Sequence, residues 1–206
     1  MVRVLMIVAA AVLALTACAE VLAPPVELVE GLRTGQIYAQ FVGGGDLGVS
    51  GMIERGEGGP SSVYVAPGTQ FWAQQPGFQG QSSLGSNSVN LSGRRFSQVW
   101  IPTACTNLNL AAPTEKEVMV AFPCPNPDMA LLADSAPLGV APRPAIQVAV
   151  WAIANDPPRG HSVVLAYVNG QSAASQGRFT PADIFQSAAR LLADAGLAPE
   201  RYRLFR

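Results

Sequence analysis

The feature that most constrains this chain is the rhythm of residues 35–123, where short apolar runs are cut at regular intervals by Gly, Pro, Asn and Ser. "QIYAQFV" places Ile37, Ala39 and Phe41 on one side and Tyr38, Gln40 and Val42 on the other, the period-two pattern of a strand with two different faces. "GGGDLG" turns the chain and "VSGMIER" returns it. The series continues through "VYV", "APGTQFWAQ" with a tight turn at Pro67-Gly68, "SVNLSG", "FSQVWIP" and "KEVMVAF", in which Val118, Val120 and Phe122 alternate. Abundant Gly and Pro with few charges suit such a loop-rich β protein better than a helical bundle. Short strands at this spacing predict an antiparallel β-sandwich over residues 35–123.

After Cys124 the pattern changes period. Asn126 or Asp128 can cap a short helix carrying Met129, Leu131 and Leu132. "RPAIQVAVWAIANDPP" reads as a helix entered at Pro144, stopped at Asp156-Pro157 and apolar nearly all round, hence buried on most sides. "HSVVLAYVNG" fits strand or helix, and its β-branched residues lean it to strand. "FTPADIFQSAARLLADAG" is the clearest element. Thr180 is its N-cap, Pro181 opens it, Gly196 closes it, and Ile184, Ala188, Leu191 and Leu192 form the buried face. The fold class expected is therefore α+β, mainly β: an antiparallel β-sandwich with a helical C-terminal part, in one domain over residues 35–206.

The chain opens "MVRVLMIVAAAVLALTACAE", with Arg3 as a short positive region and Leu5 to Leu13 as an apolar one, the layout of a secretory signal. Leu15-Thr16-Ala17-Cys18 resembles the lipobox of bacterial lipoproteins. The resemblance implies a signal peptide over residues 1–17, diacylglycerol on the Cys18 sulfur and a fatty acid such as palmitate on the new amino terminus. Each buried methylene contributes about 0.8 kcal/mol, so several chains anchor where one binds reversibly. Residues 18–34, with Pro24-Pro25, are then a tether holding the domain off the membrane. Neither Ala19 nor Glu20 is the aspartate of inner-membrane retention, which favours the outer membrane over the inner. The expected partners are the membrane, through Cys18, and an envelope protein or glycan.

The formal net charge is −1 and Lys116 is the single lysine, so no basic stripe offers itself to nucleic acid. His161 is the sole histidine, which excludes mechanisms needing two imidazoles, and it reads as a solvated loop residue. Ser162 beside it lacks an elbow motif. Glu54 and Glu57 around Arg55, and Glu115 and Glu117 around Lys116, read as exposed loop faces. No metal-ligand spacing and no cofactor motif is present, and a non-catalytic role is expected. Trp72 and Phe78, in "QFWAQQPGFQGQSS", are either strand core or a ligand surface for glycan or peptide. Setting Cys18 aside leaves Cys105 and Cys124, an even pair in an oxidising compartment. They are read as a disulfide closing a loop of about 20 residues, for roughly 3 kcal/mol of chain entropy, against two buried free thiols.

Gln147 stands alone as an amide in an apolar helix, and a buried carboxamide must be hydrogen-bonded or it costs a few kcal/mol. Its first reading is structural, bonded to backbone where the helix meets the sandwich. The pattern Gln147-x-Ala149-x-Trp151 is also similar to the TQxA segment of the thioester domains of bacterial surface adhesins. Over about residues 62–156 the order of "PGTQF", Gln81, "ACTNL", Pro113 and the Gln-x-Ala-Val-Trp helix extends that resemblance. It implies a thioester between Cys105 and Gln147 that captures nucleophiles. Ile146 stands where the family has threonine, and a Cys105–Cys124 disulfide would exclude the thioester. Sequence thus favours a lipid-anchored, non-catalytic binding or structural module, with covalent capture through Cys105 and Gln147 as the alternative.

Overall fold

In the computed structural model, which describes residues 25–136 and 138–206, the strands close on themselves instead of facing each other as two sheets. Among the described residues the strands are β1 (Val26–Glu27), β2 (Ile37–Gly43), β3 (Gly48–Arg55), β4 (Ser62–Val65), β5 (Gln70–Ala73), β6 (Gln81–Ser83), β7 (Asn87–Asn90), β8 (Phe96–Cys105) and β9 (Val118–Phe122). Six of them form a closed antiparallel barrel in the order β2-β3-β8-β6-β5-β9. This corrects the expected sandwich. The closing strand is β9, which pairs with β2 through Val118 and Met119 and with β5 through Met119–Phe122, so neither neighbour keeps a free edge. The register is staggered as closure requires: β8 pairs with β3 over Phe96–Pro102 and with β6 over Thr103–Cys105. Sandwich and barrel use the same period-two strands and the same turns, so the two cannot be told apart by spacing.

Phe41, Val49, Ile53, Phe71, Ile101 and Met119 fill the barrel, and the Phe41 and Phe71 rings meet edge-on at 5.2 Å. On β9 the inward residues are Met119 and Ala121, while Val118 and Phe122 face outward. The alternation of Val118, Val120 and Phe122 is real but marks the outer face. A second sheet, β1-β4-β7, packs on the barrel with helix α1 (Leu28–Arg33), whose Leu28 is fully buried. Residues 26–33, at the end of the expected tether, are thus built into the fold.

The helical part comprises α2 (Pro127–Ser135), α3 (Arg143–Asn155), α4 (Ser162–Ala174) and α5 (Pro181–Asp194), followed by two 3-10 turns. Asn126 caps α2 by accepting from the Asp128 and Met129 N–H groups. Thr180 and Asp183 form a reciprocal capping box on α5. α3 is buried without interruption from Ala145 to Ile153 because it runs through the middle, against α2, α4, α5 and β8. It ends at Asp156 in the left-handed conformation, with φ 41°. "HSVVLAYVNG" is the helix α4, not a strand: Val164 and Val168, one turn apart, are buried against the other helices. Leu84, Ala104 and Leu108 reach out of the barrel strands and loops into this second core, which joins the two halves.

Candidate functional site

Cys105 is the last residue of β8, and Gln147 lies in the first turns of α3, so each half of the molecule contributes one side chain to the seam. The Gln147 carboxamide engages both backbone groups of Cys105. The Cys105 N–H donates to Gln147 Oε1 at 3.0 Å, and Gln147 Nε2 donates to the Cys105 carbonyl at 2.6 Å. Both residues are buried, at 1% and 3% exposure. The structural expectation for Gln147 therefore describes its contacts: a polar group satisfied by backbone where helix meets barrel.

Cys105 and Cys124 are both free thiols, which corrects the expected disulfide. In the barrel order, β6 and β5 stand between β8, which ends at Cys105, and β9, which precedes Cys124. The two thiols thus leave from strands that are not neighbours, and no bridge joins them. Cys124 instead donates its thiol to the Asn126 carbonyl at 3.1 Å. The competitor for Cys105 that the sequence suggested is thus held elsewhere.

The surroundings of Cys105 are polar and incompletely paired. Gln81, its cross-strand partner on β6, donates from Nε2 to the Gly45 carbonyl at 2.6 Å and lies 3.9 Å from the Cys105 sulfur. Gln81 Oε1, Thr103 Oγ1 and Thr106 Oγ1 are buried without a hydrogen-bond partner. Such orphans are rare in folded proteins, and their gathering on residues 81, 103 and 106 around one cysteine marks a site more than a packing core. Arg143, one turn before Gln147, donates to the carbonyls of Asp46, Leu47 and Thr103, and so ties the β2–β3 turn and β8 to α3. That turn is the "GGGDLG" loop, a hairpin as expected. Gly44 and Gly48 lie against the Trp100 ring, where an added methyl would come within 2.6 Å and 2.5 Å. Trp151, one turn after Gln147, is buried with its Nε1 unpartnered and meets Tyr167 edge-on at 4.9 Å.

Burial pushes the Cys105 thiol up to about 12, so it is held with its proton. Burial also raises the Tyr167 phenol and lowers the Arg143 guanidinium, with Asp46 and Cys105 acting on both through space. Sequence singled out Cys105, Gln147 and Gln81; it missed Arg143, Thr103, Thr106 and Tyr167. Arg143 had one visible signal, as the only charged side chain of an otherwise apolar helix.

The remaining candidates fall elsewhere. Trp72 is half-exposed on the outer face of β5, near the seam, and Phe78 sits in the following loop in a bridge with Ala111. His161 precedes α4 as its N-cap residue and Ser162 opens that helix. Glu54 pairs with Arg95 at 2.7 Å. Glu117 is buried, accepting from the Thr114 N–H and Oγ1 at 2.6 Å, so it locks a turn instead of lining a loop face. Among the described residues no three His, Cys, Asp or Glu side chains converge on a metal position. None of their helices is long and apolar enough to cross a membrane. The expected signal peptide and the expected lipidation at Cys18 lie outside the described residues.

No known protein family matches the chain, and no curated protein or solved structure matches it.

Proposed function

We propose that this is a binding module of the cell envelope, lipid-anchored through Cys18, whose barrel–helix seam captures its partner covalently through Cys105 and Gln147. The observation that supports the reading is that the Gln147 carboxamide is held by the two backbone groups of Cys105, whose thiol is free. The Cys105 N–H polarises the Gln147 carbonyl and is placed to hold the oxygen as charge develops on it. Attack by the Cys105 sulfur forms the S–Cδ bond and breaks Cδ–Nε2. The thiol proton, which burial keeps on the sulfur, leaves with the nitrogen as ammonia. A partner's primary amine then attacks Cδ, forming an amide and returning a proton to the Cys105 sulfur. Burial protects such a thioester from water until a partner opens the seam. The event is single-turnover, in keeping with a binding role and not an enzymatic one.

Intact mass of the purified chain tests this. The expected result is a species lighter by one ammonia, absent in Cys105→Ala and converted by methylamine to a stable adduct on Gln147. An unreduced mass with no methylamine adduct would sink the capture step. It would leave the pair as a clasp inside a module that binds without a covalent bond.

A further inference from the structure

A cleft opens on the seam one residue beyond Cys105. Gln70, Trp72, Thr106, Asn107, Met129 and Asn155 line it, around a space of about 260 Å³. We infer that this cleft is a binding site for a single neutral sugar ring. Three observations converge on that ligand. Trp72 offers a half-exposed indole as one wall, the flat apolar surface on which the C–H face of a pyranose stacks. The rest of the lining is uncharged: the four amide side chains of Gln70, Asn107, Asn126 and Asn155, one hydroxyl, and the apolar Pro125, Met129 and Ala154. A charged ligand would find no counter-ion there. Gln70 Nε2 donates to the Gly68 carbonyl, and Asn107 Oδ1 and Asn126 Oδ1 accept backbone N–H groups, so a purely apolar ligand would cover the other end of each amide. Finally, Thr106 lines the cleft, is more than nine-tenths buried, and its Oγ1 has no hydrogen-bond partner within the protein.

Gly80 keeps that corner open. A methyl at Gly80 would lie 3.0 Å from Thr106 Oγ1 and 3.1 Å from the Trp72 ring, so its missing side chain lets indole and hydroxyl share one recess. The volume, about 260 Å³, lies just below the roughly 300 Å³ at which pockets for drug-sized ligands begin. It suits one terminal ring, not an extended chain. The inference does not depend on the Cys105–Gln147 chemistry, although it places a recognition element beside it.

The test is a saturation-transfer and calorimetric titration of the full chain, kept in a detergent without a sugar headgroup. The probes are glucose, galactose, N-acetylglucosamine and their disaccharides. At least one probe should bind, with a disaccharide no more than a few-fold tighter than its terminal sugar. Trp72→Ala and Thr106→Val should each weaken binding about tenfold or more, while Phe96→Ala, an exposed aromatic on the opposite run of the barrel wall, should not. Should Trp72→Ala fail to fold, Trp72→Leu keeps the bulk and removes the flat ring. Absence of binding by every probe, or undiminished binding by the Trp72 or Thr106 variant, overturns the inference. Intact mass of the same preparation reports the capture chemistry separately, so either reading can fall alone.

Discussion

The barrel interior and the barrel–helix seam are both closed to water, yet they are filled by different chemistry. Inside the barrel are Phe41, Val49, Ile53, Phe71, Ile101 and Met119, a packed apolar set. In the seam are Cys105, Gln147, Gln81, Thr103 and Thr106, all buried and some of their polar atoms unpaired. Hydrophobic burial alone can hold two halves together, as Leu84, Ala104 and Leu108 do where they enter the helical core. Polar residues in the same plane add desolvation cost, which is expected where a site must be kept ready and not where packing is the sole task.

The first way to break this comparison is to empty the barrel. Phe71→Ala removes a fully buried ring and its contact with Phe41, and should destabilise the protein by about 3–5 kcal/mol. Denaturant unfolding checks it. The loss should appear as a lower midpoint with an unchanged slope, because the barrel and the helical core share one seam. A loss under about 1 kcal/mol would show that the barrel interior is not the packed core described.

The seam should respond differently, because its contribution is a pair of neutral hydrogen bonds and not packing. In the Cys105→Ala background, which cannot form the thioester, Gln147→Leu leaves the N–H and carbonyl of position 105 without their partner, at a cost of about 2–4 kcal/mol that does not vary with pH between 4 and 8. Gln147→Glu separates the cases. A protonated carboxyl can accept from the Cys105 N–H and donate to its carbonyl as the amide does, whereas a carboxylate cannot donate. Burial and the Cys105 carbonyl raise the folded-state pKa of that glutamate above its unfolded value of about 4.3. The variant's stability is thus fully present below about 4.3 and is lost as pH rises through the folded value. Thermal melts of the two variants across this range decide the matter. A flat profile for Gln147→Glu would mean the amide does not clasp Cys105.

How much of this was legible in the sequence depends on whether a signal was local. The Thr180 N-cap, a cap at Asn126 or Asp128 and the Asp156-Pro157 stop are set by neighbours in the chain. The helices begin and end there, with Asn126 as the cap and Asp183 completing a box that the sequence reading did not name. The burial of Gln147 is local too, since an amide flanked on all sides by apolar residues of one helix cannot reach water. The barrel was not legible, because closure depends on β9 meeting both β2 and β5, a pairing between distant strands that strand spacing does not encode. In "VMVAF" every residue is apolar, so no polar phase tells which face turns inward, and Met119 and Ala121 take the interior. The same limit hid the free state of Cys105 and Cys124: an even cysteine count says nothing about whether the fold joins the two thiols. "HSVVLAYVNG" was misjudged because β-branched content is a weak prior that packing among helices overrides. Thr106 and Arg143 carry no motif at all. Their importance lies in what they face across the seam, which only the tertiary structure supplies.

The smallest expected effect is also local. Thr180 Oγ1 accepts from the Asp183 N–H, while the Asp183 carboxylate accepts from the Thr180 N–H and hydroxyl at 2.8 and 2.7 Å. Thr180→Ala removes the hydroxyl half of this box and should cost about 1 kcal/mol, well below either buried substitution. Those same bonds hold the Asp183 carboxyl below its ordinary range. Its contribution is therefore present at neutral pH and is lost as pH falls through the lowered value, the opposite direction to Gln147→Glu. Melts of Thr180→Ala against the parent chain should accordingly converge on acidification. Because α5 packs on α3, which carries Gln147, the same variant also asks whether stability lost at a surface cap reaches the seam. Intact mass of Thr180→Ala should match that of the parent chain, since a cap worth about 1 kcal/mol leaves the folded state dominant and the Cys105–Gln147 contact in place. An altered mass would mean that the seam is poised so near its limit that fraying at a helix end disturbs it.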